Sequence, residues 1–234
     1  MNTDSRQTIH IGINFVFSPL PAIDAQSKVR FQQSLLNSGI DFARTDSSKE
    51  REVFVLRETP TRLEIRVVAM PGAPVGQLLV VSPDPKTELE LFAKDAEAIV
   101  EAFEATWPAQ NRQIISSDVT IRDLYEATGE HAFKELWEKR LKQAPTSLAR
   151  LGHPVLGGGL RFVMPPRAED PEPAQIEVKI ESFLQDTKKM FVETQFVWPS
   201  PKAPGAPFEI KERLHQVDRY VEDNVELFIV GGNE

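Results

Sequence analysis

A chain that leaves a strand twice through Pro-x-Pro-Lys, and follows each exit with a long amphipathic helix, has few ways to fold. The exits are Val81-Ser82-Pro83-Asp84-Pro85-Lys86 and Val197-Trp198-Pro199-Ser200-Pro201-Lys202. Proline removes a ladder donor and disfavours helix in the residue before it, so each apolar run must stop there. Pro83 and Pro199 lie 199 − 83 = 116 residues apart in a chain of 234, which points to an internal duplication.

The elements before each exit follow one order. In the first half, Ile9, Ile11, Ile13, Phe15 and Phe17 alternate with His10, Gly12, Asn14 and Val16, a period-two strand with one buried face. Asp24 is positioned to cap a helix to about Ser38, closed by Gly39. A polar stretch over residues 44–51 leads to strands predicted at 53–57 and 63–70, joined by Thr59-Pro60-Thr61, and Pro71-Gly72-Ala73-Pro74 turns into a third at 77–81. The helix after Pro85 carries Leu89, Phe92, Ala96, Ile99, Val100, Phe103 and Trp107 on one face, and Pro108 follows it.

The second half repeats that order. A strand over 113–124 stands where 9–17 stood, with Ile9 and Ile114 offset by 114 − 9 = 105 residues. A helix over 129–142 follows, with Phe133, Leu136, Trp137 and Leu141 on one face. Strands at 159–164, 175–184 and 190–198 come next, the last two a hairpin closed near residues 185–188. The closing helix carries Ile210, Leu214, Val217, Val221, Val225 and Phe228. The offset grows from 105 to 116 because the second half has longer connections, notably residues 165–174. The fold expected is α+β: an internal duplication of a β-α-β-β-β-α unit, residues 1–108 and 109–234 in one body, with antiparallel sheets and helices packed on one face.

Composition narrows function by exclusion. With 41% apolar and 26% charged residues the chain has the makeup of a globular protein, and its net charge of −8 speaks against a general nucleic-acid binder. It has no cysteine, so disulfides, thiolate metal sites and cysteine nucleophiles are out. No apolar run approaches the roughly 20 residues of a membrane span, and the start lacks the apolar core of a signal peptide. The location expected is the cytoplasm.

Few residues suggest chemistry. Gly157, Gly158 and Gly159 leave permissive backbone at a strand entrance, where amides could approach a ligand; without a Gly-Lys-Ser/Thr ending or a following helix this is no phosphate loop, and a bulge or flexible turn is the simpler reading. Arg161 sits between Leu160 and Phe162, on the wet face by alternation. Glu212 and His215 share a helix face but lack the second copy that a di-iron site needs. Lys134, Lys139, Arg140, Lys142 and Arg150 are interleaved with Glu130, Glu135 and Glu138, a solvated face rather than a nucleic-acid surface. Trp107, Trp137 and Trp198 read as core. No nucleophile, base and orienter stand together, and no cofactor or metal is implied.

The strand Gly159-Leu160-Arg161-Phe162, the polar-apolar hairpin after it and the helix from Leu214 through Phe228 resemble a sporadically distributed bacterial family of uncharacterised proteins with a Gly-Leu-Arg-aromatic strand. The likeness covers the last third; the Pro-Pro-hydrophobic-x-Glu opening of that family is missing around residues 8–17. The resemblance implies an accessory protein and carries no catalytic residue.

The function expected is that of a non-catalytic accessory or regulatory protein acting through a protein partner, which includes a second copy of itself. The alternative is a small-molecule binder using the groove between the repeats, and the third reading is an enzyme whose composite site the sequence does not display. The contact is expected where the second half departs from the first: Gly157, Gly158, Gly159 and Arg161, and the 165–174 loop with Arg167, Glu169, Asp170 and Glu172, whose acids would favour a basic partner.

Overall fold

Among the described residues, nine strands form one antiparallel sheet in the order β2-β3-β4-β5-β1-β6-β9-β8-β7. The strands are β1 (Asn2–Ser18), β2 (Phe42–Ser47), β3 (Arg51–Leu56), β4 (Arg62–Ala69), β5 (Gly76–Asp84), β6 (Gln113–Glu126), β7 (Gly159–Met164), β8 (Gln175–Ser182) and β9 (Lys189–Trp198). The helices are α1 (Ala25–Asn37), α2 (Leu89–Thr106), α3 (Ala132–Lys134), α4 (Thr146–Ala149), α5 (Ile210–Tyr220) and α6 (Leu227–Val230). α3 runs on into a π-helical turn, Glu135–Arg140, and a second π turn, Val221–Glu226, joins α5 to α6. This computed structural model describes residues 1–47, 51–56, 62–69, 74–85, 88–108 and 110–231. The turns expected at 59–61 and 71–73, and Lys86 of the first exit, lie outside them.

Register explains which face is buried. Opposed residues in an antiparallel ladder share a face, and Ile65, Val80, Ile13, Val119, Phe196 and Ile176 line up in a single row from β4 across β5, β1, β6 and β9 to β8. The main core joins that face to the buried residues of α1, α2 and α5. The other face of the same strands carries His10, Asn14, Asp118, Arg122, Glu193 and Lys179. Such two-sided sheets give the alternation read in the sequence.

The helices begin and end where local chemistry allows. Asp24 accepts from the Ser27 amide at 2.7 Å while Ser27 Oγ accepts from the Asp24 amide at 3.0 Å, a capping box that fixes the start of α1. Gly39 takes a φ of +76° just after its end. Trp107, at the end of α2, donates from its indole to the Ala22 carbonyl at 3.0 Å and stacks on Phe31 at 5.1 Å.

Three expectations change. The first half holds one strand more than expected: β2 occupies part of the stretch read as polar connection, because an edge strand paired, among the described residues, only with β3 needs no apolar period. β1 starts at Asn2, and a bulge between Thr8 and His10 moves the inward set, so Ile9 leaves the core face while Thr8 and Arg6 reach buried Asp123. In the terminal helix the buried series is Val217, Val221, Val225 and Ile229, not Phe228. The π turn adds a residue to that helical turn, which sets Phe228 at the margin of the smaller core rather than inside it.

Candidate functional site

β7 closes one end of the sheet and, among the described residues, pairs with β8 alone. Between β7, β8 and the π turn lies a cleft of about 440 Å³, lined among others by Phe162, Met164, Val178, Ile180, Tyr220 and Phe228. Its walls follow from register, since Phe162 stands opposite Val178 and Met164 opposite Ile176 on the helix-facing side. The Phe162 and Phe228 rings meet edge to face at 5.3 Å, and the Arg140 guanidinium lies 4.7 Å from the centre of the Phe228 ring. Tyr220 donates to Met164 Sδ at 3.5 Å and divides this cleft from a neighbour of about 470 Å³, whose walls include Arg167, Asp170, Glu172, Ile176 and Arg219. Of its lining residues, Phe162 is 38% and Val163 54% exposed.

The expected contact residues fall into three groups. Arg161 lies at the rim of the first cleft and donates to Glu177 at 2.8 Å. Arg167 and Asp170 pair with each other at 2.8 Å, and Glu172 accepts from Lys202 and lies 3.5 Å from Arg213. Two of the three loop acids are thus paired inside the molecule, which leaves Glu169 as the loop's acid without a cation in contact among the described residues. Gly157, Gly158 and Gly159 are needed for packing. A Cβ on Gly159 would stand 2.5 Å from the Ile180 carbonyl oxygen, on Gly158 2.9 Å from the Phe133 ring, and on Gly157 2.8 Å from Leu184 and Ser182. The Gly158 carbonyl accepts from the Ser182 amide at 3.0 Å, so the run is the start of the ladder.

Sequence reasoning missed Phe162, Met164, Tyr220 and Phe228. The signal that could have found them is a strand with apolar residues on both faces, Phe162 and Val163 together, where alternation predicts one polar side.

The opposite sheet face carries a row of charge. Arg161, Lys179, Glu193, Arg122 and His10 stand in register across β7, β8, β9, β6 and β1. Glu193 accepts from Arg122 at 2.6 Å and from Lys179 at 2.5 Å; burial pushes its pKa up, but these cations more than offset it and hold it below the usual glutamate value. Glu177 is held low by hydrogen bonding to Arg161 and then to Lys179. His10 falls to about 4, through burial first and the Arg122 charge second. Asp118 is raised by burial, which the hydrogen bonds from Asn14, at 2.6 Å, and from Gln195 do not overcome. Three cations, Arg161, Lys179 and Arg122, thus share two carboxylates, Glu177 and Glu193.

A third polar group sits under α5. Asp123, 0% exposed, faces Arg6 at 3.2 Å and accepts from Thr8 at 2.6 Å, while Arg6 donates to Asp218 at 2.7 Å and Tyr125 to Glu226 at 3.0 Å. Burial raises Asp123 in spite of Arg6. Among the described residues no three His, Asp or Glu side chains converge as metal ligands, and no helix is long and apolar enough to cross a membrane.

No family model matches the chain, and no curated protein matches it. Among solved structures, the crystal structure of DynU16, a protein in the dynemicin biosynthetic locus, aligns with 79% of this chain and 86% of its own at 11% identity and a TM-score of 0.26. That is too slight a likeness to carry a functional argument.

Proposed function

We propose that this chain is a non-catalytic accessory protein that works through a protein contact made by the β7 end of its sheet. The observation that carries the reading is the bare β7 edge beside an apolar cleft, with Phe162 and Val163 exposed where the two meet. Antiparallel edges and apolar grooves are recurring seats for peptide and protein partners. The charged row on the other face pairs internally, and among the described residues no polar constellation has the nucleophile, base and orienter that catalysis needs.

The architecture behind this reading is a duplicated unit whose copies meet at β1 and β6, with the helices on one face of the joint sheet. Support comes from the strand order, which runs β5, β4, β3 outward on one side of that central pair and β9, β8, β7 on the other. A helix follows the first strand and the last strand of each half. In this reading a cytoplasmic bacterial accessory protein has kept one copy closed and put the other to use.

A second reading is favoured by one observation: a cleft of about 440 Å³ with aromatic and aliphatic walls falls in the size range of small-molecule pockets. Two measurements separate the two. Affinity capture with the wild-type chain and with Phe162→Lys, which puts a charge on the cleft wall, should show a protein retained by the first and lost by the second. A thermal-shift screen against apolar metabolites should show no stabilisation. A metabolite that raises the melting temperature, with no protein retained, would overturn the order.

A further inference from the structure

We propose that the partner is a second copy of this chain, joined by antiparallel pairing of β7 with β7 in a register centred on Phe162. The inference rests on the protein-contact reading above and specifies its partner.

The backbone at the edge is arranged to accept a strand. The Gly158 carbonyl accepts from the Ser182 amide, so the even-numbered residues of β7 turn their peptide groups toward β8. Hydrogen-bonded and non-hydrogen-bonded pairs alternate in an antiparallel ladder, which leaves Gly159, Arg161 and Val163 presenting N–H and C=O outward. The other end of the sheet shows what fits there. β3 stands third outward from β1 as β7 stands third outward from β6, and β3 is covered by β2 while β7 is covered by nothing among the described residues. Of the devices that keep edges apart, β7 has its shortness and one charge, Arg161, which is engaged by Glu177; it has no Lys, no Pro and no bulge, and two of its exposed residues are apolar.

Self-pairing meets every geometric condition in only one of the central registers. Opposed residues share a face, and hydrogen-bonded partners must both be outward residues, so a strand pairing with its own copy must be centred on a residue of the strand. Centring on Phe162 opposes Phe162 to Phe162 of the partner subunit, Leu160 to Met164 of the partner subunit and Arg161 to Val163 of the partner subunit. The helix-facing side is then apolar throughout. Centring on Arg161 would set two guanidiniums opposite each other. Centring on Val163 would oppose Arg161 to Pro165, which has no N–H to give. The Phe162 pair falls at a non-hydrogen-bonded site, where side chains approach most closely, and extends the edge-to-face contact with Phe228 across the junction.

The absence of cysteine makes a register test clean. At a non-hydrogen-bonded pair the Cα atoms are about 4.5 Å apart, within the roughly 4.4–6.8 Å that a disulfide spans. Phe162→Cys should therefore form a disulfide-linked dimer under mild oxidation. Arg161→Cys and Val163→Cys should stay unlinked singly and link when mixed. In sedimentation equilibrium the wild-type mass should approach twice the 26.3 kDa of the chain. Val163→Pro, which removes an outward N–H that β8 does not use, should return it to one chain with an unchanged circular dichroism spectrum; if that variant does not fold, Phe162→Lys should give the same loss by opposing two like charges. A wild-type chain monomeric at every concentration, or Arg161→Cys linking to itself as readily as Phe162→Cys, overturns the self-pairing. The broader reading fails separately, if a different protein is retained by the chain and Val163→Pro leaves that retention unchanged.

Discussion

The two cores of this molecule are packed differently. The larger, which holds α1, α2 and most of the first-half strands, is dense with aromatic contacts: Phe103, 0% exposed, meets Phe17 at 5.2 Å, Phe208 at 6.2 Å and Trp107 at 5.4 Å, and the Arg112 guanidinium lies 4.6 Å from its ring centre. The smaller lies under the end of the terminal helix, around Tyr125, Leu136, Met190, Val192 and Ile229. There the helix turns π twice over, once in each helical element that packs on it, and the cleft opens beside it. One interior is thus closed and the other has an exposed wall, and the difference lies in where a π turn sets the aromatic residue.

The largest expected effect tests that contrast directly. Phe103→Ala should cost about 3–5 kcal/mol, the range for deleting a buried aromatic side chain, whereas Phe228→Ala, at a site already partly open, should cost under about 1.5 kcal/mol. Equal losses in chemical denaturation would mean that the two cores are equally packed, and the contrast would be gone.

Between the cores lies the ionic group of Arg6, Asp123, Thr8 and Asp218. Asp123→Asn should cost about 2–3 kcal/mol, less than the full penalty for stranding a buried charge, because Arg6 keeps its 2.7 Å bond to Asp218. Replacing Arg6 by Met together with Asp123 by Leu should recover most of the loss, since an apolar pair of similar bulk would join the two cores. A double variant no better than the single one would show that the polar group does more than separate them.

Next comes the attachment of β7. Gly159→Ala sets a Cβ 2.5 Å from a backbone oxygen of β8, which can move only if the strands part, while Gly157→Ala meets side-chain atoms of Leu184 and Ser182. The first should cost about 1–3 kcal/mol, as overpacking does, and hydrogen exchange should quicken in β7 and β8 ahead of the first-half strands. Protection lost evenly across the sheet would contradict the idea that this end is a separable unit.

How much of this could be read from the chain depends on which residues carried the signal. Period-two runs such as Ile11, Ile13, Phe15 and Phe17, and the Pro-x-Pro exits, are local and physical, and they marked the strands and helices of both halves. β2 escaped because an edge strand is not required to bury a face. The shift at the Thr8–His10 bulge escaped because it changes which residues point inward without changing composition. Phe228 fitted the α-helical stripe in sequence, and only the π turn moves it to the cleft. The three glycines were visible as an oddity, but their cause, the closeness of Ile180 and Phe133, depends on residues distant in sequence. The loop acids likewise looked available because Lys202 lies 30 positions from Glu172.

The smallest effect concerns the charged face, which both halves share. His10, on β1 of the first half, is held near pKa 4 by burial and by Arg122 on β6, with Glu193 on β9 opposing. A histidine whose folded pKa is depressed is neutral in both states above its ordinary value near 6.5, so it costs nothing at neutral pH. Between 6.5 and about 4 the unfolded chain takes up a proton that the folded one refuses, so stability falls through that window as pH is lowered. His10→Gln removes this proton and nothing else that titrates. Comparing denaturation of the two proteins at pH 7 and pH 4.5 cancels the carboxylates common to both, and the variant should gain about 1 kcal/mol on the wild type, allowing for partial solvent screening of the ring. A difference that stays constant with pH would mean that His10 accepts its proton in the folded state. The Arg122–Glu193 pair would then be looser than its 2.6 Å contact indicates, and the polar face would be less rigid than either core.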